Sequence, residues 1–259
     1  MRYAITIIVF ALALLRGTNA TALELNQVTD SIWAIVGPLE QRNPQNLANN
    51  ATFGFVVTNA GVVLIDPGGS YKGAAEIDNL IKTVTDKPVT HVINSGGQDH
   101  RWLGNGYFRE RGASIIASAI TVEDQKARVD DQFFGLRNLI GGEALKGTTD
   151  VYADKTFDRT LDITVGGVEF RLRHIAAAHT PGDTFVWLAD SRVLFSGDII
   201  YVARMLGVGP QSSITTWLDA FNATKSLNPK HIVPGHGPVT DLARAQAETG
   251  DYLQYLRDE

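Results

Sequence analysis

The chain has 259 residues, 44% of them hydrophobic and none of them cysteine. That is enough apolar material for one well-buried domain, with no disulfide framework and no thiolates for copper(I) or an iron-sulfur cluster. Its 28 acidic against 23 basic residues give a formal charge of -5, which argues against nucleic acid or an anionic membrane surface as a partner and leaves a small molecule as the expected one.

The first 22 residues, "MRYAITIIVFALALLRGTNATA", begin with Arg2, run apolar from Tyr3 to Leu15 and end in small residues that permit cleavage after Ala20 or Ala22. This is the pattern of a secretory signal peptide. The 13-residue run is shorter than the roughly 20 residues needed to span a bilayer. The expectation is an exported protein, periplasmic or secreted, with no stable membrane insertion after cleavage and a single domain over 23–259. Losing Arg2 and Arg16 leaves 21 basic against 28 acidic residues, a mature charge of -7.

Strand patterns begin with "SIWAIVG" at 31–37 and "ATFGFVVTNAGVVLIDPGG" at 51–69, the latter turning at Asn59-Ala60-Gly61. Between Tyr71 and Asp86 the period becomes helical, with Ile77, Leu80, Ile81 and Val84 on one stripe. "VTHVINS" (89–95) reads as a buried strand, "RWLGNGYFRERG" as a short helix and "ASIIAS" (113–118) as another strand, a βαβ arrangement. A longer polar helical segment follows over 119–146, placed as a cover over the loop face. The second half repeats this grammar. "LDITVGGVEFRLRHIAA" is a hairpin turning at Gly166-Gly167, and "DTFVWLAD" and "SRVLFSGDII" are strands. Ile214 to Leu227 is helical, "KHIVPGHG" is a last strand with its loop, and Thr240 to Arg257 is an amphipathic helix capped by Thr240 or Asp241. Two similar halves of mixed sheet and outer helix predict an α/β four-layer αββα sandwich.

Polar residues concentrate in loops that follow strands: "DPGG" at 66–69, "SGGQDH" at 95–100, "AHTPGD" at 178–183 with "SGD" at 196–198, and "PGHG" at 234–237. Within them stand Asp99, His100, His179, Asp198 and His236. Three imidazoles and two carboxylates beside glycine, in the loops where such folds place ligands, have the chemistry of a zinc, iron or manganese site. Asp66 is expected to bond backbone or orient a ligand, and Asp183 to cap a turn. His91, His174 and His231 lie within strand patterns and read as structural.

"LIDPGG", "DH…GN", "AHTPGD", "FSGD" and "VPGHG" occur in this order, and together they resemble the metallo-β-lactamase superfamily over nearly the whole mature chain. The resemblance implies the αββα fold with a metal site at one edge. It also implies Asp99, His100 and His236 at one metal, His179 at the other, and Asp198 between them. The family's His-x-His-x-Asp-His loop is incomplete here. Counted back from Asp99-His100, Ser95 and Gly97 stand where the first two histidines belong, and Asn94 comes one place late, as if a residue were lost.

Only His179 and Asp198 remain for the first position, fewer than the three ligands usual for catalytic zinc. The second keeps Asp99, His100, Asp198 and His236. The expectation is therefore one zinc, with iron or manganese as alternatives, whose bound water hydrolyses an ester, thioester or amide of a small-molecule substrate. Asp99 and His179 assist, the latter through the water or the oxyanion. Asp99 has an alternative role capping the helix near Arg101. Gly96-Gly97 either opens a pocket or only permits a tight turn, and Arg101 and Trp102 either line the pocket or belong to helix surface and core. A competing reading is a non-catalytic binding or accessory protein on the same fold, acting in a periplasmic oxidation or sulfur system.

Overall fold

Two sheets form the middle of the molecule in the computed structural model, which describes residues 23–259; the expected signal segment lies outside them. The first sheet holds β1 (Glu24–Gln27), β2 (Ile32–Val36), β3 (Thr52–Thr58), β4 (Gly61–Ile65), β5 (Val89–Ile93), β6 (Ser114–Ser118) and β7 (Lys155–Phe157) in chain order. Pairing is antiparallel from β1 to β4 and parallel from β4 to β7. The parallel steps need crossovers, supplied by α1 (Tyr71–Lys82), α2 (Asn105–Arg109) and α3 (Ala119–Leu145).

The second sheet runs β12-β11-β10-β9-β8, with β8 (Thr160–Val165), β9 (Val168–Arg173), β10 (Phe185–Leu188) and β11 (Val193–Tyr201) as an antiparallel meander. Helix α4 (Ile214–Ser226) then crosses to β12 (His231–His236), which pairs parallel to β11.

Three apolar layers explain why this order is stable. Ile32, Val56, Ile65, Ile116, Leu172, Val186 and Phe195 fill the space between the sheets. Ile35, Phe53, Leu64, Ile77 and Ile81 pack α1 on the outside of the first sheet. Trp217, Phe221, Leu194, Ile232 and Leu253 do the same for α4 and the C-terminal α6 (Asp251–Asp258) on the second. The result is the expected four-layer αββα sandwich. No helix among the described residues is long and apolar enough to cross a membrane.

Differences from the sequence reading are local. The helix expected from Arg101 is a 3-10 turn, Asp99–Arg101, followed by the short α2. The helix expected over 240–257 is broken into α5 (Leu242–Ala245), a π turn and α6. Asp241 caps α5 by accepting from Arg244 N. β1, with sequence ELNQ, is mostly exposed and shows no alternation for a pattern reading to find.

Helix α3 lies over the loop face, as expected of the 119–146 segment. Its Leu136 and Ile140 pack with Trp102 and Leu103. Gln132 accepts from Trp102 Nε1 at 2.9 Å and donates to Gly97 O at 2.8 Å. The loop between β5 and α2 is thereby clamped from above.

Candidate metal centre

The polar loops meet at one end of the sandwich. Asp66 follows β4, residues 95–101 follow β5, His179 precedes β10, Asp198 stands in β11 and His236 ends β12. Three of the four expected ligands converge there: donor atoms of His100, Asp198 and His236 lie within 4.8 Å of one another, and all three side chains are buried. His100 Nε2 is 3.4 Å from Asp198 Oδ2, and His236 Nε2 is 3.4 Å from Asp198 Oδ1. A tetrahedral ion with bonds of about 2.0–2.1 Å sets its donors about 3.3–3.4 Å apart, and each imidazole meets that spacing against a different oxygen of Asp198.

The fourth expected ligand, Asp99, turns elsewhere. Its Oδ1 accepts from Arg42 Nη2 at 2.5 Å and from Arg42 Nε at 3.1 Å, and from the His100 backbone N–H at 2.7 Å. Burial pushes this carboxyl up, but Arg42 and His100 together hold it well below the ordinary carboxylate range. His179 stands outside the converging group as well. Its Nδ1 lies 2.6 Å from Gly207 O, which fixes the proton there and leaves Nε2 as an acceptor. Burial lowers its pKa, keeping the ring neutral.

Each converging imidazole has one arginine donor and one oxygen acceptor at Nδ1. For His236 these are Arg204 Nη1 at 3.2 Å and Asn50 O at 3.0 Å. For His100 they are Arg42 Nη2 at 2.9 Å and Asp99 Oδ1 at 3.1 Å. When the oxygen takes the Nδ1 proton, Nε2 keeps a lone pair for a metal; when the arginine donates, Nε2 carries the proton. His100 Nε2 is buried without any hydrogen-bond partner. Burial lowers the His236 pKa to about 3, the attraction of Asp198 being too small to restore it.

Arg101 is the residue the sequence reading left undecided, and it belongs neither to the pocket wall nor to a helix surface. It is 0% exposed, and all five guanidinium N–H donors are used. Nε and Nη2 donate to Asp198 Oδ2 and Oδ1 at 3.1 and 2.6 Å. Nη1 donates to Asp66 Oδ2 and Thr52 O, both at 2.9 Å, and Nη2 donates also to Gly235 O at 2.7 Å. Burial pushes the Asp198 carboxyl up, but Arg101 above all, with His100 and His236, holds it far below its usual range. Asp66 takes only one of the five bonds, and burial keeps its carboxyl raised despite Arg101 and Ser95. A side chain at Gly235 would block this approach, since a Cβ there would fall 2.6 Å from Asp198 Oδ1.

The Ser95-to-Gly97 stretch is filled structure and not an opened pocket. Ser95 donates through N and Oγ to Asp66, each at 2.7 Å. A Cβ on Gly96 would meet Asp183 Oδ1 at 2.6 Å, and one on Gly97 would run into the Asp124 carboxylate, which is paired with Arg128. Asp183 is itself committed, accepting from Thr180 N at 2.8 Å and Thr180 Oγ1 at 2.5 Å.

His100 points inward and Asp99 does not, because adjacent residues of one 3-10 turn diverge. Arg42, Arg204 and Asn50 come from loops without periodicity and gave no signal in the sequence.

Arg42, Gln98, His100, His179, Arg204 and His236 line a cavity of about 160 Å³ that opens to solvent. Arg204 pairs with no carboxylate among the described residues, and burial, with Arg42 and Arg101 nearby, lowers its pKa.

Comparison with known proteins places these features in a family. The family model of the metallo-beta-lactamase superfamily matches residues 48–236. A metallo-beta-lactamase type 2 of Elizabethkingia meningoseptica is 25% identical over 239 residues, covering 89% of this chain and 85% of that protein. One from Bacillus cereus is 25% identical over 188 residues, covering 71% of this chain and 66% of its own. Among solved structures, a metallo-beta-lactamase from Pontibacter korlensis superposes with a TM-score of 0.71 at 21% identity, over 90% of this chain and 99% of that one. At that identity the likeness is one of fold.

Proposed function

The chain belongs to the metallo-β-lactamase superfamily, and from that premise we propose that it is an exported, metal-dependent hydrolase-like protein that holds one zinc ion at His100, Asp198 and His236. The observation that supports this reading is that donor atoms of His100, Asp198 and His236 lie within 4.8 Å of one another, each Nε2 3.4 Å from one oxygen of the shared carboxylate. Two histidines and a carboxylate are a three-ligand set of the kind catalytic zinc sites use, with a fourth position open. Zinc held there supplies Lewis acidity to water and to the scissile carbonyl of an ester, thioester or amide.

The chain's own residues do the rest. Asn50 O and Asp99 accept the Nδ1 protons of His236 and His100, so that both Nε2 atoms face inward as lone pairs. Asp99 is thus an orienting residue and not a ligand. His179, neutral and fixed through Gly207 O, offers Nε2 to the cavity to take a proton from attacking water. The cavity of about 160 Å³ admits the reacting group of a small molecule. The N-terminal signal directs the protein to the periplasm or beyond, with cleavage leaving a domain that begins near Leu23.

The bonding of Arg101 to Asp198 favours a second reading, a binding or accessory protein that uses the scaffold without catalysis. Metal content per chain decides between them, measured by elemental analysis of the purified mature protein after mild chelation and reloading, beside His236→Ala. About one zinc per chain, lost in the variant, is the expected result. Stoichiometric metal in neither protein would overturn the hydrolase and select the binding protein.

A further inference from the structure

Two buried carboxylates, Asp66 and Asp198, stand at the floor of the site, where a charge without a partner is costly. One cation within the chain, Arg101, contacts both and offsets part of their charge. Arg101 spans them with every donor satisfied and no exposure to solvent, and the raised guanidinium pKa keeps its charge permanent.

A carboxylate has about four lone-pair positions. Arg101 occupies one on each oxygen of Asp198, leaving the positions that face His100 Nε2 and His236 Nε2. An ion in the three-residue group therefore has to share Asp198 with a positive charge lodged in the same low-dielectric space, and the two repel.

We propose that Arg101 is the resident cation of this site: it holds Asp198 and Asp66 in place without an ion and sets the strength of metal binding by competing for Asp198. This rests on the three-residue group as the ion's position. Two consequences separate it from a purely structural brace. The site keeps its shape in metal-free protein, so chelation leaves the fold intact. Metal affinity also answers to the charge on the arginine's partners, with opposite signs for two substitutions. Arg101→Gln frees Asp198 and removes the repulsion, so zinc binds more tightly. Asp66→Asn takes away the arginine's other counter-charge, concentrates the guanidinium on Asp198 and weakens zinc.

The test is the zinc dissociation constant of the full mature chain, by competition with a chromophoric chelator, beside thermal denaturation with and without zinc. Arg101→Gln is expected to tighten zinc by about tenfold or more, a charge effect at short range, and to lose melting temperature without metal and regain much of it with zinc. Asp66→Asn is expected to weaken zinc by several-fold. Zinc no tighter in Arg101→Gln, or unchanged in Asp66→Asn, would overturn the proposal. If Arg101→Gln does not fold, the Asp66→Asn result decides alone. Zinc bound by Arg101→Gln but not by the wild type would sink the proposed hydrolase while upholding the resident cation; zinc bound by neither folded protein would sink both.

Discussion

Asp99→Asn separates an orienting residue from a ligand. The substitution keeps the volume of a side chain that is 5% exposed and removes only its charge. Two groups compete at His100 Nδ1: the Asp99 carboxylate at 3.1 Å, which accepts its proton, and Arg42 Nη2 at 2.9 Å, which donates one. Asp99 both accepts the proton and absorbs the charge of Arg42. Without the carboxylate the balance tips, Arg42 becomes the donor and Nε2 takes the proton that excludes a metal. Losing such an outer partner typically weakens metal binding 10- to 100-fold, or about 1.4–2.7 kcal/mol. Since Arg42 is left poised against Nδ1, the expected loss is at the upper end of that range. The assay is zinc affinity and stoichiometry on the same preparation. About one ion per chain should remain, held more weakly. Loss of stoichiometric binding would mean that Asp99 is itself a ligand, and unchanged affinity would refute its hold on the tautomer.

Gly96→Ala should destabilise the fold by about 1–3 kcal/mol, as overpacking does, because the added Cβ falls 2.6 Å from Asp183 Oδ1; a melting temperature at or above the wild-type value would show that the loop can yield. Gln132→Ala strands Trp102 Nε1 and Gly97 O and should cost about 1–3 kcal/mol of stability for the unsatisfied groups, readable in urea denaturation, with an unchanged midpoint counting against the clamp. His236 shifts from 6.5 to about 3 on folding, so between these values the unfolded chain binds more protons. The stability contributed by the neutral ring above pH 6.5 is therefore lost as the pH falls toward 3. The melting-temperature gap between metal-free wild type and His236→Gln should narrow on acidification below neutral, and a constant gap would contradict the assignment.

The sandwich was legible because its signals are clear: apolar β-rich runs in β3 and β4, the helical stripe through Ile77 and Ile81, and turns at Asn59-Ala60-Gly61 and Gly166-Gly167. Pattern fails where elements are short or polar, as in β1, or where a helix is broken by a π turn, as after Ala245. At the site, residue type revealed that His100, Asp198 and His236 are of ligand chemistry. Type does not say which way a side chain points, and in a 3-10 turn adjacent residues diverge: Asp99 goes to Arg42, His100 to Asp198, and Arg101 into the core. Arg101 was hardest to read, because a buried guanidinium depends on acceptors drawn from four distant parts of the chain.

That same dependence bears on how the protein folds. The acceptors of Arg101 come from Thr52 and Asp66 in the N-terminal half and from Asp198 and Gly235 in the C-terminal half. A state with only one half assembled leaves a guanidinium facing an apolar surface with part of its donors unmet. Such partly folded species are penalised twice, by the missing bonds and by the unbalanced charge, so the two halves gain their stability together. The arginine makes the transition between folded and unfolded chains more nearly all-or-none than the contact surface between the sheets would on its own.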